Sequence, residues 1–200
     1  MVIMTADMKS VQCCIVGDGM VGKTCLALNI MHQNLPKDYT ATVLEHYASS
    51  IKVLGDEYRL HIYDSAGQHD YEGLRACTYK DSEIYVVCYS VVDRESLESV
   101  KHFWIPEIKK HMDRKKPIIL IGTQTDLRQA SDYDIYMAVS TEEGSTLAKD
   151  IGALLFMECT CQNQNSVKRV FESVVSSALK YRKKKKKKST LVNKIIRRLS

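Results

Sequence analysis

The 200-residue sequence has no apolar run near ~18 residues and no secretory hydrophobic segment, so nothing in it is built to span a bilayer. Its seven cysteines form no C-x-x-C pair, and its six histidines show no metal-ligand spacing. An odd cysteine count, with several of them inside apolar runs, reads as reduced cytosolic thiols and excludes a disulfide framework or a zinc site. Residue 2 is Val, which is incompatible with N-myristoylation. No cysteine follows Cys161, so neither prenylation nor tail palmitoylation is expected. There is no internal repeat.

Charge is unevenly placed. From Arg182 onward the sequence has no acid, and ten of its 29 basic residues lie there; the remainder carries 19 basic residues against 24 acids, a net of −5. The overall +5 therefore belongs to the tail. That balance argues against a nucleic-acid surface on the body and for a tail that meets anionic surfaces. The length suits one compact domain, with a short extension over 1–9, a body over 10–181 and a basic tail over 182–200.

Apolar runs alternate with helical patterns along the body. Val11 to Val16 predicts a strand, followed by a Gly-rich turn and a helix from Lys23 to about His32. Ser50 to Leu54 and Glu57 to Tyr63 flank Gly55-Asp56 and predict a hairpin. Ile84 to Tyr89, Pro117 to Gly122 and Leu154 to Glu158 predict buried strands. Asp93 would cap a helix reaching His111, with irregularity at Pro106. Ser140 and Glu143 form a capping box. Val167, Val170, Phe171, Val174 and Ala178 recur at helical spacing. The alternation predicts an α/β fold: a mostly parallel six-stranded sheet with helices on both faces and one antiparallel strand from the Gly55 hairpin.

Gly17-Asp18-Gly19-Met20-Val21-Gly22-Lys23-Thr24 matches G-x-x-x-x-G-K-[ST] without a gap, after a predicted strand and at the start of a predicted helix. Glycines let successive N–H groups turn toward a polyphosphate, and the helix N-terminus adds partial positive charge. Lys23 would reach the β- and γ-phosphates and the Thr24 hydroxyl would ligate Mg²⁺. ATPases, nucleotide kinases and GTPases all share this loop, so it does not name the base.

Thr123-Gln124-Thr125-Asp126 follows the strand ending at Gly122. Guanine offers N1–H and N2–H donors that adenine lacks, and one carboxylate accepting both would select it. Asp126 is placed to do so, although an Asp at a strand end also serves as a helix cap. Asp64-Ser65-Ala66-Gly67-Gln68 closes another strand. Asp64 would hold Mg²⁺ through water, the Gly67 N–H would meet a γ-phosphate, and Gln68 would orient the attacking water. Thr42, after the polar segment Asp38 to Ala41, would complete the Mg²⁺ shell when a γ-phosphate is present. A nucleotide kinase lacks support, because no acceptor-base lid is visible.

These segments, in order and spacing, resemble the Ras superfamily of small GTPases and within it the Rho family, nearest the Rac and cell-division-control branch. The Rho-like marks are Gly17-Asp18-Gly19, Gly22-Lys23-Thr24-Cys25, Asp64 to Tyr71, Thr123 to Arg128, Phe103-Trp104-Ile105-Pro106-Glu107-Ile108, Ile151-Gly152-Ala153 and Glu158-Cys159. The likeness covers about residues 9 to 180. It implies a P-loop small G domain that binds GDP and GTP with Mg²⁺ and hydrolyses GTP slowly. It also implies a monomer that meets effectors through its switch loops and is regulated by activating and exchange proteins. Signalling in cytoskeletal, polarity or membrane-trafficking pathways would follow.

Several positions depart from that pattern. Leu35 stands where Phe normally lies edge-on to the guanine. Losing an aromatic contact costs ~0.5–1.5 kcal/mol, up to about tenfold in affinity, unless another side chain covers the base. Fast exchange would follow, and with it an alternative function as a mostly GTP-bound scaffold with little hydrolysis. Met20 replaces a small residue and would crowd an arginine finger. His69 replaces an acid, as either a solvated switch residue or a pH-sensitive one. In the effector loop, Tyr39, Val43, Glu45 and Tyr47 fit the family, whereas Leu44 and His46 replace Phe and Asn. The segment Gln129 to Thr141 is shorter than the family's helical insert. Thr160-Cys161-Gln162 replaces Ser-Ala-Leu or Ser-Ala-Lys, but the Cys161 N–H would still reach the guanine O6.

The tail carries Lys183, Lys184, Lys185, Lys186, Lys187 and Lys188, then Leu191, Val192, Ile195, Ile196 and Leu199 opposite Lys194, Arg197 and Arg198. This pattern predicts a short amphipathic helix with a basic face. Each basic residue near an anionic leaflet contributes ~1 kcal/mol. Reversible attachment to the cytosolic face of a plasma or internal membrane, nuclear targeting by the lysine run, and a merely solvated tail all remain open.

Overall fold

The computed structural model describes residues 9–32, 41–112, 114–129 and 138–199, with side chains of the last helix described as far as Lys186. Six strands form one sheet: β1 (Ser10–Val16), β2 (Leu44–Val53), β3 (Asp56–Ser65), β4 (Ile84–Ser90), β5 (Ile118–Thr123) and β6 (Leu155–Glu158). Their order is β2-β3-β1-β4-β5-β6, and only β2 with β3 is antiparallel. The predicted α/β sheet is therefore present. The hairpin arms run ten residues each, longer than the sequence pattern indicated, because polar, exposed positions of β2 pair along the sheet edge.

Alternation along the strands builds two cores. Cys13, Ile15, Val86, Cys88, Ile119 and Ile121 face α1 (Lys23–Ile30) and α6 (Gln164–Leu199), where Leu26, Val170, Phe171 and Val174 pack. Cys14, Val16, Tyr85, Val87 and Leu120 face the other way, onto Trp104, Ile105, Ile108, Leu147 and Ala148. That second layer comprises α2 (Glu72–Asp81), α3 (Arg94–Ser99), α4 (Ile105–His111) and α5 (Thr141–Ile151).

The Asp93 cap and the Ser140–Glu143 capping box form as predicted. Between α3 and α4 the backbone widens into a π-helical turn, Val100–Trp104. It absorbs the missing N–H and the ring of Pro106, so the irregularity lies before the proline and not at it. The C-terminal region also differs from expectation. Instead of a separate short helix after the lysine run, α6 is one continuous 36-residue helix. Lysine and arginine are good helix formers and carry the helix through the segment. Among the described residues, no helix is long and apolar enough to cross a membrane.

The topology fixes where a ligand can bind. β1 lies between β3 and β4, so the chain turns to opposite sides at its carboxyl end, and crevices at such points are where open α/β sheets bind ligands.

Candidate nucleotide and magnesium site

The loop after β1 occupies that crevice. Gly17 has φ 144°, and a Cβ there would lie 2.2 Å from the Cys88 carbonyl oxygen, so only glycine lets the loop leave the sheet at this point. Met20, with φ 63°, is 69% exposed at the rim, whereas Val21 is buried beneath it. Lys23 is buried, and its Nζ donates to the Asp18 carbonyl at 2.6 Å. Burial lowers its pKa while Asp64 opposes that shift. Gly19 and Gly22 complete the turn into α1, and burial raises the pKa of the Cys25 thiol.

Three oxygens converge beside the lysine. The Thr24 hydroxyl donates to Asp64 Oδ2 at 2.6 Å and lies 2.9 Å from the Thr42 hydroxyl. Asp64 is fully buried, its other oxygen has no hydrogen-bond partner, and burial raises its pKa against the pull of Thr24 and Lys23. Two hydroxyls and a carboxylate with an unsatisfied oxygen suit a hard divalent cation such as Mg²⁺. No cluster of three or more His, Cys, Asp or Glu that could hold a metal occurs among the described residues. The Thr24, Thr42 and Asp64 oxygens are thus the donor set the structure offers.

The segment after β3 packs directly on the phosphate loop. A Cβ on Gly67 would meet the Gly19 nitrogen at 2.4 Å and the Asp18 carbonyl at 2.5–2.7 Å. Gln68 follows, with an extended backbone and an exposed side chain.

A group that the sequence reading missed holds this segment. Arg75 of α2 is fully buried and uses all five of its N–H donors. They go to the carbonyls of Ala66 (3.0 Å), Gln68 (2.6 Å) and His69 (3.0 Å) and to both oxygens of Glu107 (2.7 Å each). Tyr79 donates its hydroxyl to the same Glu107 at 2.5 Å. Periodicity places Arg75 nowhere special, because a buried arginine has no pattern of its own; the only available cue was Glu107 in a segment already singled out.

Trp104, fully buried in the second core, also sends its indole N–H to Asp18 Oδ1 at 2.7 Å. His69 is more than a solvated side chain: it stacks on Phe103 at 3.6 Å between ring centres and lies 3.6 Å from Asp18 Oδ1.

At the end of β5, Thr123 and Gln124 grip the loop that follows β1. The Thr123 hydroxyl lies 2.6 Å from the Val21 carbonyl and 2.8 Å from that of Tyr89, and the Gln124 amide donates to the Met20 carbonyl at 3.1 Å. Asp126 sits in a 3-10 turn, Thr125–Gln129, with an exposed carboxylate that accepts no hydrogen bond among the described residues; it is not acting as a cap. The Thr160 hydroxyl accepts from the Gln162 N–H, and the Cys161 carbonyl accepts from Asn29 at 2.9 Å. Burial pushes the Cys161 thiol up to about 12.

The effector-loop residues need correction as to form. Leu44, Glu45, His46 and Tyr47 belong to strand β2, because each pairs with β3; Val43 precedes the strand and is exposed. His46 stacks on Tyr63 and lies 3.1 Å from His61. Leu35 and Tyr39 lie outside the described residues, as do the side chains of Lys187, Lys188, Leu191, Ile195, Arg197 and Arg198.

A family profile described as "Ras family" matches residues 12–180. The matched span takes in the whole sheet except the first two residues of β1. The chain therefore belongs to the Ras family and is a small GTPase switch.

Proposed function

We propose that the chain is a Rho-type switch that binds GDP and GTP with Mg²⁺, hydrolyses GTP slowly without an activating protein, and signals to effectors through β2 and the 66–69 segment. The supporting observation is the convergence of Lys23, Thr24, Thr42, Asp64 and Gly67 at the carboxyl ends of β1 and β3.

In this reading the loop N–H groups and Lys23 hold the β- and γ-phosphates, and Asp126 accepts from the guanine edge. Thr24 and Thr42 would hold Mg²⁺ directly and Asp64 would hold it through water; when bound, the ion neutralises phosphate charge. Gln68 orients the attacking water. Thr42 and Gly67 sense the γ-phosphate and release after hydrolysis. An arginine supplied by an activating protein would add ~10³–10⁵ in rate. The tail holds the protein on the cytosolic face of an anionic membrane, where it acts as a monomer in cytoskeletal, polarity or trafficking signalling.

The exposure of Met20 at the loop rim favours a second reading, a fast-exchanging, mostly GTP-loaded scaffold. Single-turnover GTP hydrolysis and nucleotide off-rates separate the two. The switch reading requires GTP preferred over ATP and hydrolysis stimulated by an activating protein; equal uptake of ATP defeats it. The scaffold reading requires Leu35→Phe to slow nucleotide release by up to about tenfold.

A further inference from the structure

A second cation-lined cavity lies at the amino ends of the strands, opposite the nucleotide crevice. The segment 80–83 leads into β4, residues 114–116 precede β5, and Tyr181 to Lys185 belong to α6; together they enclose about 120 Å³. Five cations line it, Lys80, Arg114, Lys116, Arg182 and Lys185, against Asp81 and Glu83. Glu83 is already engaged: Arg182 donates to it through Nε at 2.5 Å and through Nη2, and also to the Ser10 carbonyl. Apart from that pair, three rim cations, Lys80, Arg114 and Lys185, line the cavity with Asp81.

The frame is built and buried. Lys116 is 7% exposed, and its ammonium sits on the carbonyls of Tyr79 (2.9 Å) and Lys80 (2.8 Å). The Tyr181 hydroxyl donates to the Lys115 carbonyl at 3.0 Å and ties α6 to the loop before β5. Ser82 lines the same cavity at 1% exposure, and its hydroxyl has no hydrogen-bond partner. A buried hydroxyl left unpaired costs free energy unless something completes it. Lys80, Arg114 and Lys185 are exposed at the rim.

A compact dianion with several acceptor oxygens fits such a set of donors, whereas a nucleoside is too large for the volume. We propose that this cavity binds one phosphate monoester group, and that the group is carried by an anionic lipid headgroup. The lipid source rests on the membrane reading of the tail: α6 runs from the cavity wall directly into Lys183 to Lys188, so a leaflet that meets the lysines also meets the cavity mouth. The site itself does not depend on that reading.

The test uses the full-length, GDP-loaded protein. Phosphatidylcholine vesicles containing a phosphatidylinositol monophosphate are compared with phosphatidylserine vesicles of matched surface charge. The cavity variant is Lys80→Ala with Arg114→Ala; a tail variant, Lys183→Ala with Lys184→Ala, removes equal charge. The cavity variant should weaken phosphoinositide-vesicle binding about tenfold more than phosphatidylserine-vesicle binding, the loss expected from a charge-assisted bond or two. The tail variant should weaken both alike. Equal losses for the cavity variant on both vesicles would overturn the proposal. If the wild type binds neither vesicle, the tail reading fails and inorganic phosphate becomes the probe. Saturable shifts of the Ser82 and Lys116 amide resonances, lost in the cavity variant, would keep the phosphate site with a soluble source; no shift would remove the site.

Discussion

The two segments that would sense a γ-phosphate are held in opposite ways. The 66–69 segment is bolted from inside: Arg75 takes three of its carbonyls and is itself clamped by Glu107, so its shape depends on buried charge. The 42–47 segment lies on the open edge of the sheet, with Val43 and Leu44 exposed; β3 pairing, the Thr42–Thr24 contact and the packing of Tyr47 on the core hold it among the described residues. One half of the switch is thus preset by the fold, and the other is left for ligands and partners to order. A buried ion pair adds little over apolar packing, but it fixes one arrangement and is costly to break.

Breaking the preset half should have the largest effect. Glu107→Gln strips Arg75 of its counter-charge and should lower unfolding free energy by about 3–5 kcal/mol, read by urea titration; a loss under about 1 kcal/mol would mean the clamp is incidental. Gly67→Ala comes next. The added methyl must push on the Gly19 nitrogen and the Asp18 carbonyl, so overpacking of about 1–3 kcal/mol should weaken nucleotide binding from about fivefold to about 150-fold, measured with a fluorescent GDP.

The open half should respond to pH. Burial and then the neighbouring His46 lower the His61 pKa below its ordinary 6.5. The folded protein therefore binds fewer protons than the unfolded chain, and the stabilisation present above 6.5 is lost as pH falls through the folded value. NMR titration should place the His61 midpoint below 6.5, and His46→Ala should raise it. The smallest stability effect belongs to Leu44→Ser, within about 0.5 kcal/mol by thermal unfolding. The same change should abolish or sharply weaken capture of any GTP-dependent partner. A large stability loss with intact capture would reverse the comparison.

Most of the sheet was legible, because Ile84 to Tyr89 and Pro117 to Gly122 are apolar runs and the phosphate loop is a contiguous motif. The caps at Asp93 and Ser140 were readable for the same reason: the chemistry is local. What escaped was long-range. Arg75 and Glu107 are 32 positions apart, and Trp104 reaches Asp18 across 86. No periodicity marks such pairs. The β2 assignment began six residues late, since Leu44 to Ser49 lacks clean alternation and its place in the sheet is set by pairing with β3. The continuous α6 was missed because charge runs were read as a boundary, although lysine has no aversion to helix.

Trp104 is the only tryptophan in the chain. Its indole is hydrogen-bonded to Asp18 and lies edge-on to His69, so a single chromophore touches both the phosphate loop and the segment that follows β3. The protein accordingly carries its own optical reporter. Emission from unlabelled material should register loading, turnover and partner capture in real time, with no dye attached.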